Sequence, residues 1–331
     1  MRIKRIKIPR VLTRVVQFLV TIALFYYLIR KSDFNSAVKI LSDIDVWYFL
    51  LSFILLICAN LTLVLSWFLI IKKIKLNVSL GTVIAVFFQS LFVNNFLTFI
   101  GGDVFKGVRI NAHTGKKFET GFSLVISRFM MFYSLIIFTG ISFVRFGKNF
   151  GSSDSVKWLG YLILFLCAAY AVFVKIFSKK NYLRDNDNRA GIFKRLLIKA
   201  GNNHIIFGES FQFFLLILLI NLSGHFIGFI SVKFLGTSLG LSLSLVEVVA
   251  LMSILRLVLM VPVSFNGFGL REIGFVALLT KLGYQKAESL SLGLTQSIST
   301  LLMSLLGGLI LIIELGFIKK KDSEGQQNGI T

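Results

Sequence analysis

The sequence predicts an all-α polytopic membrane bundle of about eight spans, with two broken or re-entrant helical hairpins forming an inverted repeat. Three observations carry that expectation. Of 331 residues, 56% are hydrophobic and 15% are charged, whereas a soluble domain carries roughly 25% charged residues. Apolar runs of about 20 residues, the length that crosses a bilayer, recur along the chain. Two of these runs end in glycine-rich polar breaks that share one pattern.

The low charge content excludes a water-soluble globular enzyme, a disordered chain and a coiled coil. With 35 Phe and only 2 Pro, the composition fits long lipid-facing helices better than short strands and turns. The net charge of +21 comes from 36 Lys and Arg against 15 Asp and Glu. In a soluble protein that excess would point to nucleic acid. In an apolar chain it points to cationic loops on the cytoplasmic leaflet, so no nucleic-acid partner is expected. Cys58 and Cys167 lie inside apolar runs and read as small packing residues rather than a disulfide. His113, His204 and His225 are scattered without metal-ligand spacing, so neither a metal nor another cofactor is expected.

The elements follow in order. Residues 1–14 hold six cations and form a basic cytoplasmic N-terminus. The apolar run after them resembles a signal peptide, but it ends at Arg30-Lys31 with no small-residue cleavage site. It reads as a retained first span. Spanning runs lie at 11–29, 46–71, 81–100, 120–144, 158–177, 210–232, 244–262 and 289–317, with a shorter run at 270–282. One transmembrane domain is therefore expected over 15–317. The longest polar stretch, 178–208, is a basic loop too short for a catalytic domain. It reads either as a topology signal or as a dock for a cytosolic glycosyltransferase or lipid-modifying enzyme. The tail 318–331 reads as disordered.

Cation counts choose the topology. If 81–118 and 244–286 each return to the side they entered from, inside segments hold 24 Lys and Arg and outside segments 9. If 81–100 crosses once, the counts become 15 inside and 18 outside. The positive-inside rule selects the first arrangement, with both termini on the cytoplasmic side of the cell membrane. It does not separate a re-entrant hairpin from two tilted crossings.

The repeat elements are about 81–144 and 244–317. In each, an apolar helix meets a glycine-rich break, then a charged helix-like segment, a glycine (Gly115 or Gly283) and a long span. Gly102 and Gly269 are 167 residues apart, and Gly115 and Gly283 are 168 apart. Arg128 and Gln296 each lie 13 residues past their glycine. An odd number of crossings separates the copies, which would invert them. The alternative is chance similarity between two amphipathic stretches.

A broken helix in a membrane is tolerated only inside protein or beside a water-filled cavity. The breaks at Gly101, Gly102 and Asp103, and from Pro262 through Ser264, Asn266, Gly267 and Gly269, therefore suggest a cavity, unless both are surface loops. Pro262 ends the helix before it. New helices start near Val104 and Leu270, and a helix N-terminus favours an anion such as phosphate. Asp103, Lys106 and Arg109 are spaced by three and read as one helix face. Arg128 and Arg256 sit inside apolar runs, where a charge usually faces a bundle interior or an aqueous path; Arg128 could also snorkel. Glu247 lies nine residues before Arg256. Arg271 and Glu272 follow the second break, either as a local ion pair or as a binding pair. Asn94, Asn95 and Asn266 would satisfy broken backbone or contact a headgroup. Gly224 and Gly228, like Gly307 and Gly308, read as helix-packing notches. No G-x-S-x-G, Walker or H-E-x-x-H motif occurs.

The segments GGDVFKGVRI, GKKFETGFSLVISR, VPVSFNGFGLRE and LTKLGYQKAESLSLGL occur in that order. They resemble the lysylphosphatidylglycerol synthase transmembrane-region family of flippase-like membrane proteins, over about residues 10–317. The resemblance maps the family's glycine-acid-x-x-basic segment onto Gly101, Gly102, Asp103 and Lys106, with lysine where arginine is commoner. It maps the basic residue opening the next span onto Arg128. The proline-to-glutamate segment falls on Pro262, Gly267, Gly269, Arg271 and Glu272. The resemblance implies a lipid-flippase-like membrane region. The cytosolic aminoacyltransferase domain of full-length synthases is not found within these residues, so transfer from tRNA is not expected.

The expected activity is thus translocation of an anionic phospholipid or a lipid-linked glycan headgroup. The alternatives are a phosphatidylglycerol lysyltransferase-like membrane transferase, with Glu272 or Asp103 moving the proton, and a non-catalytic scaffold for a glycosyltransferase.

Overall fold

The computed structural model of the chain describes Tyr26 and residues 34–95, 101–150, 154–177, 211–260, 264 and 267–327. Apart from Tyr26, the run at 11–29 lies outside the described residues, as do the loop 178–208, Pro262 and Asn266. The described residues form helices joined by turns and short connections. The helices are α1 (Phe34–Ser42), α2 (Val46–Lys73), α3 (Leu80–Asn94), α4 (Gly101–Thr114), α5 (Lys117–Phe150), α6 (Ser155–Phe177), α7 (Phe211–Ser238), α8 (Leu245–Val258), α9 (Leu270–Leu279) and α10 (Lys286–Gln327).

Local chemistry sets several ends. The Asp45 carboxylate accepts from the Trp47 and Tyr48 amides at 2.9 and 3.2 Å and starts α2. Ser79 caps α3 through the Thr82 amide at 3.2 Å. Ser244 and Glu247 form a reciprocal capping box on α8. Glu247 is therefore a cap at the exposed start of a helix, not a charge in a span. Two short helices stop at left-handed glycines: Gly115 at φ 66° after α4, and Gly283 at φ 97° after the 3-10 turn that continues α9.

Five described helices are long and apolar enough to cross a membrane, over Val46–Lys73, Lys117–Phe146, Ser155–Lys175, Phe211–Ser238 and Lys286–Gly316. The runs at 81–100 and 244–262 contain only α3 and α8, of 15 and 14 residues. At 1.5 Å per residue each reaches about 22 Å, short of the ~30 Å hydrocarbon core. The expected eight spans are therefore not all represented among the described residues. One falls outside them, and two are the short first arms of the breaks. The first break also ends earlier than expected, because α4 begins at Gly101 rather than near Val104. The backbone of α10 stays helical to Gln327, so the tail read as disordered begins as helix.

Small polar residues join the spans, as expected where lipid is as apolar as leucine. Ser52 and Ser231 exchange hydroxyl-to-carbonyl bonds of 2.8 Å between α2 and α7. Asn221 donates to Ser66 at 2.7 Å in the same interface. On α5 and α6, Gly140 and Gly160 meet backbone to backbone, and the Tyr133 hydroxyl donates to the Cys167 carbonyl at 2.6 Å. Long helices also cross between the halves of the chain. The short helix α3 packs on α10, and the short helix α8 packs on α5. A Cβ on Gly307 of α10 would lie 1.9 Å from the Phe88 carbonyl oxygen of α3, so glycine sets that approach.

Candidate functional site

The ends of α3, α4, α8 and α9 converge with α2, α5, α7 and α10 around one cavity of about 440 Å³. Of the residues singled out from sequence, Asn95, Asp103, Lys106 and Arg128 line it from the first half of the chain. Arg256, Ser264, Gly267 and Arg271 line it from the second.

On the first side, Asp103 bridges two cations. Its carboxylate pairs with Lys106 at 3.4 Å and with Arg128 of α5. The Lys106 ammonium also lies over the Phe87 ring at 4.5 Å and the Trp67 ring at 5.6 Å. The free end of α4 is already capped: the Gly102 amide donates to the Asn94 side chain across the break at 2.7 Å. Asn95 donates to Ser304 of α10 at 2.5 Å.

On the second side, Arg256 donates to His225 Nδ1 of α7 at 3.0 Å and lies 5.0 Å over the Phe229 ring. A Cβ on Gly228 would sit 2.8 Å from its guanidinium. Gly228 therefore makes room for Arg256, beyond the packing role its spacing suggested. Gly224, by contrast, meets Thr62 and Ala59 of α2. Arg271, 9% exposed, donates to Ser297 of α10 at 3.0 Å. The Ser297 hydroxyl in turn donates to Glu272. Arg271 and Glu272 are thus joined through a serine rather than as a direct ion pair.

Five expected site residues lie away from the lining. Gly101 and Gly102 form the first turn of α4 beside it. Gly269, at φ 79°, donates its amide to Glu272 at 2.7 Å. Fully buried, Glu272 fills the anion position that the start of α9 offers. Arg109 pairs with Glu314 of α10 outside the lining. Asp103 and Arg109 are six residues apart, which at 100° per residue turns them about 120° from each other, so they do not share one face.

The structure adds lining residues that sequence reasoning passed over: Asn60, Trp67, Ser127, Asn221, His225 and Thr300. A polar residue inside an apolar run was the available signal for Asn60, Asn221 and His225. Trp67 carried none.

Lysylphosphatidylglycerol synthase TM region is the family whose profile matches residues 14–308. The chain belongs to that family. Like its family, the chain is a multi-pass helical membrane protein in a lipid setting. No curated protein matches it. The match takes in both breaks and every cavity-lining residue named above.

Proposed function

We propose that this family member carries an anionic phospholipid or lipid-linked glycan headgroup between leaflets, with acyl chains left in the bilayer. One observation carries the reading. Two guanidinium groups, Arg256 and Arg271, line the cavity: among the described residues Arg256 forms no ion pair, and Arg271 reaches Glu272 only through Ser297. A buried charge without an acid partner is costly, and an anionic ligand offsets that cost. Lys106 and Arg128 would meet the same headgroup after exchanging Asp103 for it. Glu272 and Asp103, the candidates for proton transfer in a transferase, are both engaged by other groups, which favours a carrier.

The two hairpin units act as inverted repeats around the cavity. Their support is the reciprocal bracing of α3 by α10 and α8 by α5, and the matching left-handed Gly115 and Gly283. The excess of cations in the segments read as inside supports placing both termini on the cytoplasmic face of the cell membrane. The loop 178–208 would then offer a basic dock to a cytosolic lipid-modifying enzyme.

The test is translocation of a fluorescent phosphatidylglycerol in proteoliposomes. Arg271→Ala and Arg128→Ala should each slow it by about tenfold or more. Normally inserted variants that translocate at the parental rate would refute the carrier reading.

A further inference from the structure

Given the carrier reading above, the charge of the cavity wall restricts the headgroup it accepts. Lys106, Arg128, Arg256 and Arg271 line it, against Asp103 as the one carboxylate among its described lining residues. His225 adds no charge. A guanidinium only donates, so His225 Nδ1, 3.0 Å from Arg256, holds a lone pair. Its Nε2 is left to donate to the Met131 carbonyl at 3.2 Å. Glu272, behind the lining, offsets part of the Arg271 charge through the Ser297 bridge. Asp103 offsets one charge of the Lys106–Arg128 pair. Four cations against Asp103 and Glu272 leave the wall with an excess of two positive charges, one shared by Lys106 and Arg128 and one on Arg256.

A second feature lies on the same wall. Ser264, 7% exposed, lines the cavity, and its buried hydroxyl has no hydrogen-bond partner among the described residues. An unsatisfied buried hydroxyl costs free energy that a ligand oxygen would restore.

We propose that the headgroup is a lipid diphosphate, held with its phosphates against Arg256, Arg271 and Ser264. A phosphodiester lipid brings one negative charge and leaves half of that excess uncompensated in a low dielectric. A diphosphate brings two or three. A lysyl-esterified lipid carries two ammonium groups on one phosphate and would add positive charge to a positive wall. The arginine fork matches phosphate oxygens in a way a point charge does not. Asn60, Asn221 and Thr300 add polar groups able to meet sugar hydroxyls beyond the phosphates.

The experiment uses the full chain in nanodiscs of neutral phosphatidylcholine. Binding is measured for geranylgeranyl diphosphate, geranylgeranyl monophosphate, phosphatidylglycerol, lysyl-phosphatidylglycerol and inorganic pyrophosphate. The diphosphate lipid should bind about tenfold or more tighter than phosphatidylglycerol, with the monophosphate between them. Arg256→Gln and Arg271→Gln should each weaken both lipids but cost the diphosphate about tenfold more, which erases the preference. The ranking on the parental protein decides the matter even if a variant fails to fold. Lysyl-phosphatidylglycerol binding as tightly as the diphosphate overturns the proposal. So does pyrophosphate binding as tightly as the lipid, which would mark a site for a free anion. Tightest binding of phosphatidylglycerol overturns the diphosphate assignment but leaves the carrier reading standing. Failure of every lipid to bind sinks both.

Discussion

Arg109 of α4 pairs with Glu314 of α10, tying the hairpin of the first half of the chain to the long helix of the second. Gln89 of α3 donates to the other Glu314 oxygen at 2.5 Å, so three helices meet at one carboxylate. The pair is partly exposed, with the side chains 24% and 35% accessible, which limits its strength. A double-mutant cycle with Arg109→Ala and Glu314→Ala should give a coupling of about 0.5–1 kcal/mol in detergent unfolding. Headgroup ranking should be unchanged in the Arg109→Ala protein, because Arg109 lies outside the cavity. A changed ranking would place it back among the binding residues.

The glycines of α7 should separate binding from stability. A Cβ on Gly228 would press on the flexible end of Arg256, at 2.8 Å. Gly228→Ala should therefore slow translocation while leaving thermal stability nearly intact. A Cβ on Gly224 would fall 2.4 Å from the Thr62 hydroxyl oxygen, in the tight face between α7 and α2. Gly224→Ala should cost about 1–3 kcal/mol through overpacking. Paired melting and translocation measurements check both; equal effects from the two variants would contradict the division.

Asn94 holds the first break from the far side, accepting from the Gly102 amide eight residues on. Asn94→Ala removes that acceptor and should cost about 1 kcal/mol, as loss of a helix cap does. Since Asp103 follows Gly102 directly, its grip on Arg128 should loosen as well. Asn94→Asp keeps an acceptor oxygen and should retain more stability than Asn94→Ala. Melting temperatures of the two variants give the comparison.

Tyr284, in the turn before α10, bonds to Glu247 at 3.2 Å. Burial, and then the Glu247 charge, push its phenol up to about 12. A free tyrosine titrates near 10. As pH rises from about 10 to 12, the unfolded chain therefore releases a proton that the folded chain keeps, and stability falls across that window. Below it, Tyr284 contributes no pH dependence. Tyr284→Phe should show a smaller drop in melting temperature between about pH 9 and 11; an identical drop would remove Tyr284 as a source.

The residues most legible in the sequence were charges interrupting apolar runs. Arg128 and Arg256 stand out because hydrocarbon tolerates them only beside a partner or an aqueous space, Asp103 and Lys106 because they follow the glycine break, and all four line the cavity. Spacing along a helix was less informative. It grouped Arg109 with Asp103, but only the placement of α10 decides that Arg109 meets Glu314. Glu272 read as either an ion-pair or a binding residue; it caps α9 through the nearby Gly269 amide, and its link to Arg271 runs through Ser297, 25 residues away. Asn221 and His225 were passed over because one polar residue in a span such as α7 is equally at home bonding a neighbouring helix. Asn221 does both, donating to Ser66 while lining the cavity. The lengths of α3 and α8 were also hidden, since hydropathy does not register where a helix stops inside an apolar run.

The exchange of supports between α3 and α10, and between α8 and α5, bears on how the protein is made. Synthesis delivers α3 and α4 early, while α10 follows every other described helix. The opening hairpin must therefore wait, sheltered by the insertion machinery or by lipid, until its brace arrives. A nascent chain stalled after α7 would hold its hairpin against α2 and α5 but without the α10 brace, a natural target for quality-control proteolysis.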